Sequence, residues 1–244
     1  MNQLDVRIPE VVERSRVNIN LYDLGFSDDY RYVWNLQKQI VEKRNLGLAS
    51  NSLIIVEHDH VLTMGRNGNL QNILVRDIPV FSIERGGDVT YHGPGQIVFY
   101  PIISLSEYSL SIKQYVERLE KVLVNSLLRF GLPSEGKLGE QTGVWIGGKR
   151  KIASIGIATS HWTTYHGFAL NVNTDLSHFA RIRPCGFDSQ VMTSMASELG
   201  VSVKMEEVKR ELISAFSEIF QAEFRTSDCN NFKNQNLSVT TPEC

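Results

Sequence analysis

Residues 85–96, which read RGGDVTYHGPGQ, constrain the fold more than any other stretch of the chain. Two adjacent glycines and a Gly-Pro-Gly triplet permit positive φ angles and let another molecule approach bare backbone. An apolar run at residues 97–102 follows at once. We therefore predict a rigid loop that leads into a buried strand and presents N–H groups and side chains to a ligand. The alternative is a tight connection in which the glycines serve only the turn.

The composition is that of an ordinary globular protein, with 42% hydrophobic and 21% charged residues and a net charge of −2. We expect one domain at residues 17–225, an N-terminal extension at 1–16 and a disordered, Asn-, Ser- and Thr-rich tail at 226–244. The charge indicates neither a nucleic acid nor a membrane partner. Because no apolar run could span a membrane and the N-terminus lacks signal- and transit-peptide features, we expect a cytoplasmic location.

Periodicity predicts an alternation of strands and helices. The predicted strands lie at residues 17–21, 53–56, 61–64, 80–83, 96–105, 151–158 and 162–172. The predicted helices begin after Ser27 and at Ser111 and Met205, and the last of them, ending at Phe220, is the last predicted element. The apolar face of the helix from Ser111 predicts a core contact and no cofactor site. Residues 144–158, interrupted by two glycines, predict a β-hairpin.

His58 and His60 flank an acidic residue at a strand end and suggest a metal site at first sight. No third ligand is evident nearby, so hydrogen-bonded loop residues are the better interpretation and we predict no metal.

Lys151 enters an apolar strand, where burial would depress the pKa of its amine and allow it to act as a base. The alternative is a solvated basic turn at residues 149–151, which spacing alone favours.

Of the three cysteines, only Cys185 lies outside the predicted tail; it stands between a proline and a glycine, with two arginines just before it. Positive neighbours and an exposed loop favour the thiolate, which attacks acyl groups. A small buried hydrophobic residue is the alternative.

Four blocks resemble those of the bacterial lipoyl(octanoyl) transferases: residues 85–96, 151–156 (KIASIG), 166–172 (HGFALNV) and 184–186 (PCG). They stand in the family's order. The resemblance implies an α/β (α+β) fold in which mixed β-sheets backed by helices form an acyl-binding cleft, similar to the catalytic domain of lipoate and biotin protein ligases.

The resemblance also implies roles for single residues. Cys185 is expected to carry the acyl group as a thioester, and Lys151 to act as its acid/base partner and lower the pKa of the thiol. The positions expected to contact substrate are Arg85, Gly86, Gly87, Asp88, Val89, Thr90, Tyr91, His92, Ser154, Ile155, Gly156, Gly167, Phe168 and Ala169.

The implied enzyme moves an octanoyl or lipoyl group from acyl carrier protein to a lysine ε-amine, the first step of endogenous protein lipoylation. The implied acceptors are the lipoyl domains of 2-oxoacid dehydrogenases and the glycine cleavage H protein. Conversion of a thioester to an amide has a favourable free energy, so we expect no nucleotide or other cofactor. The lack of a P-loop or dinucleotide fingerprint agrees with this expectation. We expect a monomer.

The chain departs from the family at Asp59, where a proline is expected, and at residues 187–190, which lack an expected glycine. Neither change touches Cys185 or Lys151, and both concern the cleft wall. Two alternatives stay open. An ATP-dependent lipoate or biotin ligase would have no need of Cys185, and a non-catalytic acyl- or carrier-binding protein would leave this thiol inert.

Overall fold

The computed structural model of the chain describes residues 16–183 and 189–227. Within those ranges the strands are β1 (Val17–Ser27), β2 (Asn51–His58), β3 (Val61–Met64), β4 (Val80–Ser82), β5 (Val89–His92), β6 (Gln96–Ile102), β7 (Glu135–Lys137), β8 (Gly143–Ile146), β9 (Arg150–Ser160), β10 (Thr163–Asn171) and β11 (Ala222–Thr226). The α-helices are α1 (Tyr30–Asn45), α2 (Ile112–Arg129), α3 (Met195–Leu199) and α4 (Met205–Phe220).

Two sheets organise these elements. The larger is an eight-stranded mixed sheet in the order β11-β1-β2-β6-β10-β9-β8-β7, and the smaller has the order β4-β3-β5. In the larger sheet, β1 pairs in parallel with both β11 and β2, and the other neighbours are antiparallel. The predicted α+β class with mixed sheets is confirmed, as is the hairpin formed by β8 and β9.

Helices cover both faces of the large sheet, which explains why β2 is apolar without alternation. Leu53 and Ile55 point to the core shared with α2 and α4, whereas Ile54 and Val56 point to the core shared with α1. Successive side chains of a strand leave on opposite faces, so both sets must be apolar when both faces are covered. The sheet is therefore the middle layer of the molecule.

The helix starts follow from capping chemistry. The N-cap of α1 is Asp29, whose carboxylate accepts a hydrogen bond from the backbone N–H of Tyr32 at 3.1 Å. Ser27, from which we predicted the helix, is instead the last residue of β1. Helix α2 begins as predicted, because Ser111 and Gln114 form a reciprocal capping box.

Two further features of the predicted fold are wrong. The predicted loop at residues 85–96 contains a strand, β5, which pairs antiparallel with β3. Helix α4 has its predicted bounds but is followed by β11, which pairs in parallel with β1 and takes Thr226 of the predicted tail into the sheet. Both errors concern strands whose partners lie elsewhere in the chain, where local periodicity gives little signal. No helix of the described residues is long and apolar enough to cross a membrane.

Candidate active site

A cavity of about 330 Å³ lies between the large and small sheets. Its floor is made of small residues on two paired strands, Ser154 and Gly156 of β9 and Gly167 and Ala169 of β10. Because small side chains leave space above a sheet, this pairing creates the cavity. The other residues that line it are Tyr30, Ile83, Arg85, Gly86, Gly87, Thr90, His92, Val98, Tyr100, Ile112, Val116, Gly139, Thr142, Lys151, Ile155, Ile157, His166 and Phe168.

Residues 85–96, here called the glycine segment, contact the edge of β9. The backbone N–H of Gly86 donates to the carbonyl oxygen of Ile157 at 2.9 Å. A Cβ atom at Gly156 would lie 2.9 Å from Cδ of Arg85 and 3.2 Å from the carbonyl oxygen of Gly86. Only glycine therefore lets the segment approach this strand so closely. The contact brings together the first and second sequence blocks.

Strand β5 divides the predicted substrate residues between two faces. Thr90 and His92 line the cavity, whereas Val89 and Tyr91 are buried in a separate cluster on the other side. This division follows from the two-residue repeat of a strand. Asp88, just before the strand, does not line the cavity, and its carboxylate accepts hydrogen bonds from the backbone N–H of Asn69 and the side-chain amide of Asn72.

Arg85 extends over the cavity floor and is 7% exposed. Its Nη2 donates to the carbonyl oxygen of Thr63 at 2.6 Å and to the hydroxyl oxygen of Thr63 at 3.0 Å, and its Nη1 donates to the carbonyl oxygen of Gly86 at 2.9 Å. These bonds connect the glycine segment to β3. They also hold the buried guanidinium group in the wall of the cavity.

A chain of buried polar side chains begins at His92. Nδ1 of His92 lies 2.7 Å from Oε1 of Gln96, whose Nε2 donates to Oδ1 of Asn171 at 2.9 Å. The Asn171 amide donates in turn to the carbonyl oxygen of Thr193 at 3.0 Å. Since Gln96 presents an oxygen to His92, the neutral ring carries its proton on Nδ1. Burial lowers the pKa of His92 to about 4, so the ring is neutral at neutral pH.

His166 has an unusual backbone in the middle of β10, with a φ of +56°. Its N–H donates to Oε1 of Gln37 at 2.8 Å, so a buried side chain of α1 holds this strained conformation. Nε2 of His166 lies 3.4 Å from Oε2 of Glu84, which also accepts from the indole N–H of Trp34 at 2.9 Å. The hydrogen bond to His166 is the main reason that the pKa of Glu84 falls to about 2.

Two tyrosines, Tyr30 and Tyr100, also line the cavity, and His58 lies behind Tyr100. Burial raises the pKa of both tyrosines, and it lowers the pKa of His58, whose Nε2 lies 2.9 Å from the Tyr100 hydroxyl. His60 does not line the cavity, and its ring stacks on that of His178 with a centroid distance of 4.3 Å. In the parts of the chain that the structure describes, no three His, Cys, Asp or Glu side chains are arranged to hold a metal ion.

Lys151 lies in the cavity wall and is 4% exposed, so the alternative of a solvated turn is wrong for this residue. Its Nζ lies 5.5 Å from the centroid of the Trp145 ring. A Cβ atom at Gly143 would lie 2.7 Å from Cε of Lys151, so glycine on β8 makes room for the lysine stem. The neighbouring Lys149 is exposed, which fits the end of a hairpin turn.

The structure brings most of the predicted residues to one cavity. Cys185 lies outside the described residues, which resume at Ser189. The chain just before the cysteine is fixed at Arg183, whose N–H donates to the carbonyl oxygen of Asn72 at 2.8 Å. The chain after it is fixed at Thr193, whose N–H donates to the carbonyl oxygen of Lys151 at 2.9 Å.

Several lining residues escaped the sequence-based prediction. Tyr30 falls in the helix predicted after Ser27, and Tyr100 falls in the predicted buried strand; periodicity does not separate a core residue from one that lines a cavity. The apolar face of α2, predicted to be wholly core, also contributes Ile112 and Val116 to the cavity, and Ile112 is 46% exposed. His166 carried a signal, since it precedes Gly167 in one of the four blocks.

Comparison with known proteins identifies the family. Residues 29–217 match the family model of the lipoyl protein ligase A/B catalytic domain. An octanoyltransferase of Solibacter usitatus is 45% identical over 202 residues, which cover 80% of this chain and 90% of the relative. The chain belongs to the lipoyl(octanoyl) transferase family. An octanoyltransferase of Flavobacterium johnsoniae is 41% identical over 228 residues, or 84% of this chain and 97% of the relative. The protein is therefore an enzyme, a transferase of the lipoyl or octanoyl group.

Solved structures show the same fold as this transferase. A candidate lipoate protein ligase of T. acidophilum with bound lipoic acid has a TM-score of 0.71 at 21% identity, covering 86% of this chain and 89% of that chain. A lipoate-protein ligase A bound with ATP has a TM-score of 0.63 at 20% identity, covering 87% and 88%. These likenesses confirm the predicted ligase-type fold.

Proposed function

We propose that the enzyme transfers an octanoyl group from acyl carrier protein, through a thioester on Cys185, to a lysine ε-amine on a lipoyl domain. The proposed acceptors are the lipoyl domains of 2-oxoacid dehydrogenases and the glycine cleavage H protein. Lipoyl groups would follow the same route. No nucleotide or other cofactor takes part, and the enzyme acts as a cytoplasmic monomer.

The first half-reaction exchanges one thioester for another. The Lys151 amine takes the proton of the Cys185 thiol, and the thiolate attacks the carbonyl carbon of octanoyl-acyl carrier protein. The carbon–sulfur bond to the carrier then breaks, and the leaving sulfur receives the proton from Lys151. An acyl-enzyme and a free carrier thiol result. Since a thioester is broken and a thioester is made, this half-reaction needs no other energy source.

The second half-reaction forms the amide. The neutral ε-amine of the acceptor lysine attacks the Cys185 thioester, and the bond between the acyl carbon and the Cys185 sulfur breaks. Lys151 accepts the proton that the attacking nitrogen loses and returns it to the Cys185 sulfur. Burial of Lys151 in the cavity wall supports this role, because it places the amine beside the proposed acyl-binding site and away from bulk water.

The cavity supports binding of the acyl chain. Its volume is near the lower end of the roughly 300–1,000 Å³ usual for small-molecule sites. We propose substrate contacts for the predicted residues that line it, and a supporting role behind the wall for Asp88, Val89 and Tyr91. The proposed contacts are Arg85, Gly86, Gly87, Thr90, His92, Ser154, Ile155, Gly156, Gly167, Phe168 and Ala169.

One observation carries the proposal. The only lysine amine that lines the cavity, among the described residues, belongs to the residue whose carbonyl oxygen fixes the chain after Cys185. An ATP-dependent ligase would have no need of such a connection, since it activates the acid as an adenylate. The fold alone leaves that ligase as the second candidate, because the solved structures of similar fold include lipoate ligases.

A transfer assay separates the two. Apo-lipoyl domain is incubated with enzyme and either octanoyl-acyl carrier protein without ATP or octanoate with ATP, and its mass is followed. We expect the octanoyl mass increase with the carrier-bound donor alone. Octanoylation that requires octanoate and ATP would favour the ligase.

A further inference from the structure

One row of side chains under the cavity crosses four neighbouring strands of the large sheet. Ser154 of β9 pairs with Ala169 of β10, and Ala169 pairs with Val98 of β6. These three residues line the cavity. Val98 pairs in turn with Val56 of β2, which does not line it. Along this row the cavity therefore lies above two small side chains and ends at Val98.

The cavity is buried at the end where Val98 lies. Val98 is 1% exposed, and the lining residues Tyr30 and Tyr100 are buried as well. The Tyr100 hydroxyl lies 2.9 Å from Nε2 of His58, which stands behind the lining. Val98 itself belongs to the apolar cluster between the large sheet and α1. It therefore presents a wholly apolar surface at this end of the cavity.

The other end of the cavity reaches solvent. Its lining includes the exposed Ile112 and Gly139 and the half-buried Thr142. Lys151 lies at this end, because its Cε occupies the space beside Gly143, the residue after Thr142. An acyl group that passes from one molecule to another must keep its carbonyl carbon within reach of both. The carbonyl group therefore belongs at the open end, and the hydrocarbon terminus at the buried end.

Resting on the proposed transfer of an octanoyl group, we infer that Val98 is a specificity-determining residue whose side chain stops the acyl chain and so sets its length. Neighbouring strands lie about 4.8 Å apart, so the row from Ser154 to Val98 spans about 10 Å, comparable with an extended eight-carbon chain. A longer chain would press its last carbons against Val98. A shorter chain would leave part of this wall without contacts, and both mismatches weaken binding.

Two substitutions at Val98 move this wall in opposite directions. Val98→Ala removes two carbon atoms and lengthens the cavity, whereas Val98→Leu adds one carbon atom and shortens it. Val56→Ala is the matched control, because Val56 pairs directly with Val98, has the same 1% exposure and lies in the same cluster, but does not line the cavity. The two alanine variants lose the same atoms from the same core, so weakened packing affects both of them.

The measurement is kcat/KM for transfer to apo-lipoyl domain from hexanoyl-, octanoyl- and decanoyl-acyl carrier protein. One methylene group in an apolar pocket changes kcat/KM by about 10–200-fold. We expect Val98→Ala to raise the ratio of decanoyl to octanoyl transfer by at least about tenfold. Val98→Leu should lower the ratio of octanoyl to hexanoyl transfer by about the same factor. Val56→Ala should keep both wild-type ratios within about twofold, although its melting temperature falls.

Unchanged ratios in both Val98 variants would overturn the inference, and so would equal shifts in Val98→Ala and Val56→Ala. Failure of the proposed function gives a different result, in which the wild-type enzyme uses none of the three donors. Titration calorimetry with free octanoate and decanoate then still tests the wall. Val98→Ala should favour decanoate over octanoate by about tenfold more than wild type does. The same relative affinities in both proteins would overturn the inference.

Discussion

The backbone N–H of Thr193 donates a 2.9 Å hydrogen bond to the carbonyl oxygen of Lys151. Lys151 and Met192 also form a parallel bridge, and the Asn171 amide donates to the carbonyl oxygen of Thr193. The lysine that we propose as the acid/base group is therefore also an attachment point for the chain that follows Cys185. Changes at Lys151 can be designed to remove its amine and keep this backbone connection.

Lys151→Met should abolish most of the acyl transfer. Methionine keeps an unbranched apolar stem in the wall but cannot accept the thiol proton, so we expect acylation of Cys185 to slow by about 10²–10⁴-fold. Stopped-flow or quenched-flow mass analysis measures this rate. The exposed Lys149→Met is the control and should react at the wild-type rate. Acylation of the Lys151 variant within about threefold of wild type would remove Lys151 from the mechanism.

Gly167→Ala should destabilise the enzyme. A Cβ atom there would lie 2.1 Å from the carbonyl oxygen of Phe99, so β10 and β6 would have to separate. Such overpacking costs about 1–3 kcal/mol and lowers the melting temperature by several degrees. At Gly86 the nearest atom to a new Cβ is at 3.8 Å, so Gly86→Ala is the matched control in calorimetry. Equal melting temperatures for the two variants would contradict this account of the β10–β6 contact.

Protonation of His92 should weaken the fold in mild acid. Its pKa is about 4 in the folded state and near 6.5 when unfolded, so the unfolded chain binds the proton first as pH falls. Stability is complete above about pH 6.5, and up to about 3 kcal/mol is lost between about pH 6.5 and pH 4. Urea unfolding at several pH values across this range measures how the free energy of unfolding changes with pH. This change should be smaller for His92→Asn than for wild type. His161→Asn, on an exposed turn, should leave the slope unchanged; identical slopes for all three proteins would exclude His92 as the cause.

Strand β11 should be required for stability although it follows the last predicted helix. Ala222 is buried against the main core, and Phe224 packs on it. A chain that stops after Gln221 loses this strand and exposes the edge of β1, so we expect its melting temperature to fall by about 5–10 °C. A chain that stops after Ser227 keeps the strand and is the control. If both shortened chains melt together with the full chain, β11 does not contribute to stability.

Local signals in the sequence located much of the fold. The bounds of α4 and the start of α2 follow from periodicity and capping, which depend on neighbouring residues. Strand β5 reads as a loop in the sequence because the glycines on either side of it dominate the local pattern, and its pairing with β3 depends on distant residues. Strand β11 was not predicted either, because its pairing also depends on distant residues: its partner β1 lies at the opposite end of the chain.

The sequence motifs predicted which residues belong to the site. They did not predict which of these residues line the cavity and which face away from it. Arg85, Gly156 and Lys151 lie in two different blocks, and only the resemblance placed them in one cleft. Nothing in the sequence separates Thr90, which lines the cavity, from Tyr91, which faces away, until β5 is known to be a strand. Asp88 likewise directs its carboxylate to Asn69 and Asn72, which lie between two predicted strands, and does not line the cavity.

The most direct test of the proposed mechanism is intact mass spectrometry of the enzyme mixed with octanoyl-acyl carrier protein and no ATP, followed by hydroxylamine treatment and peptide mapping. We predict one octanoyl group on the peptide that contains Cys185, removed by hydroxylamine and absent from Cys185→Ser. An enzyme that octanoylates lipoyl domains from this donor but never carries the group on Cys185, even when rapidly quenched without acceptor, would contradict the thioester mechanism.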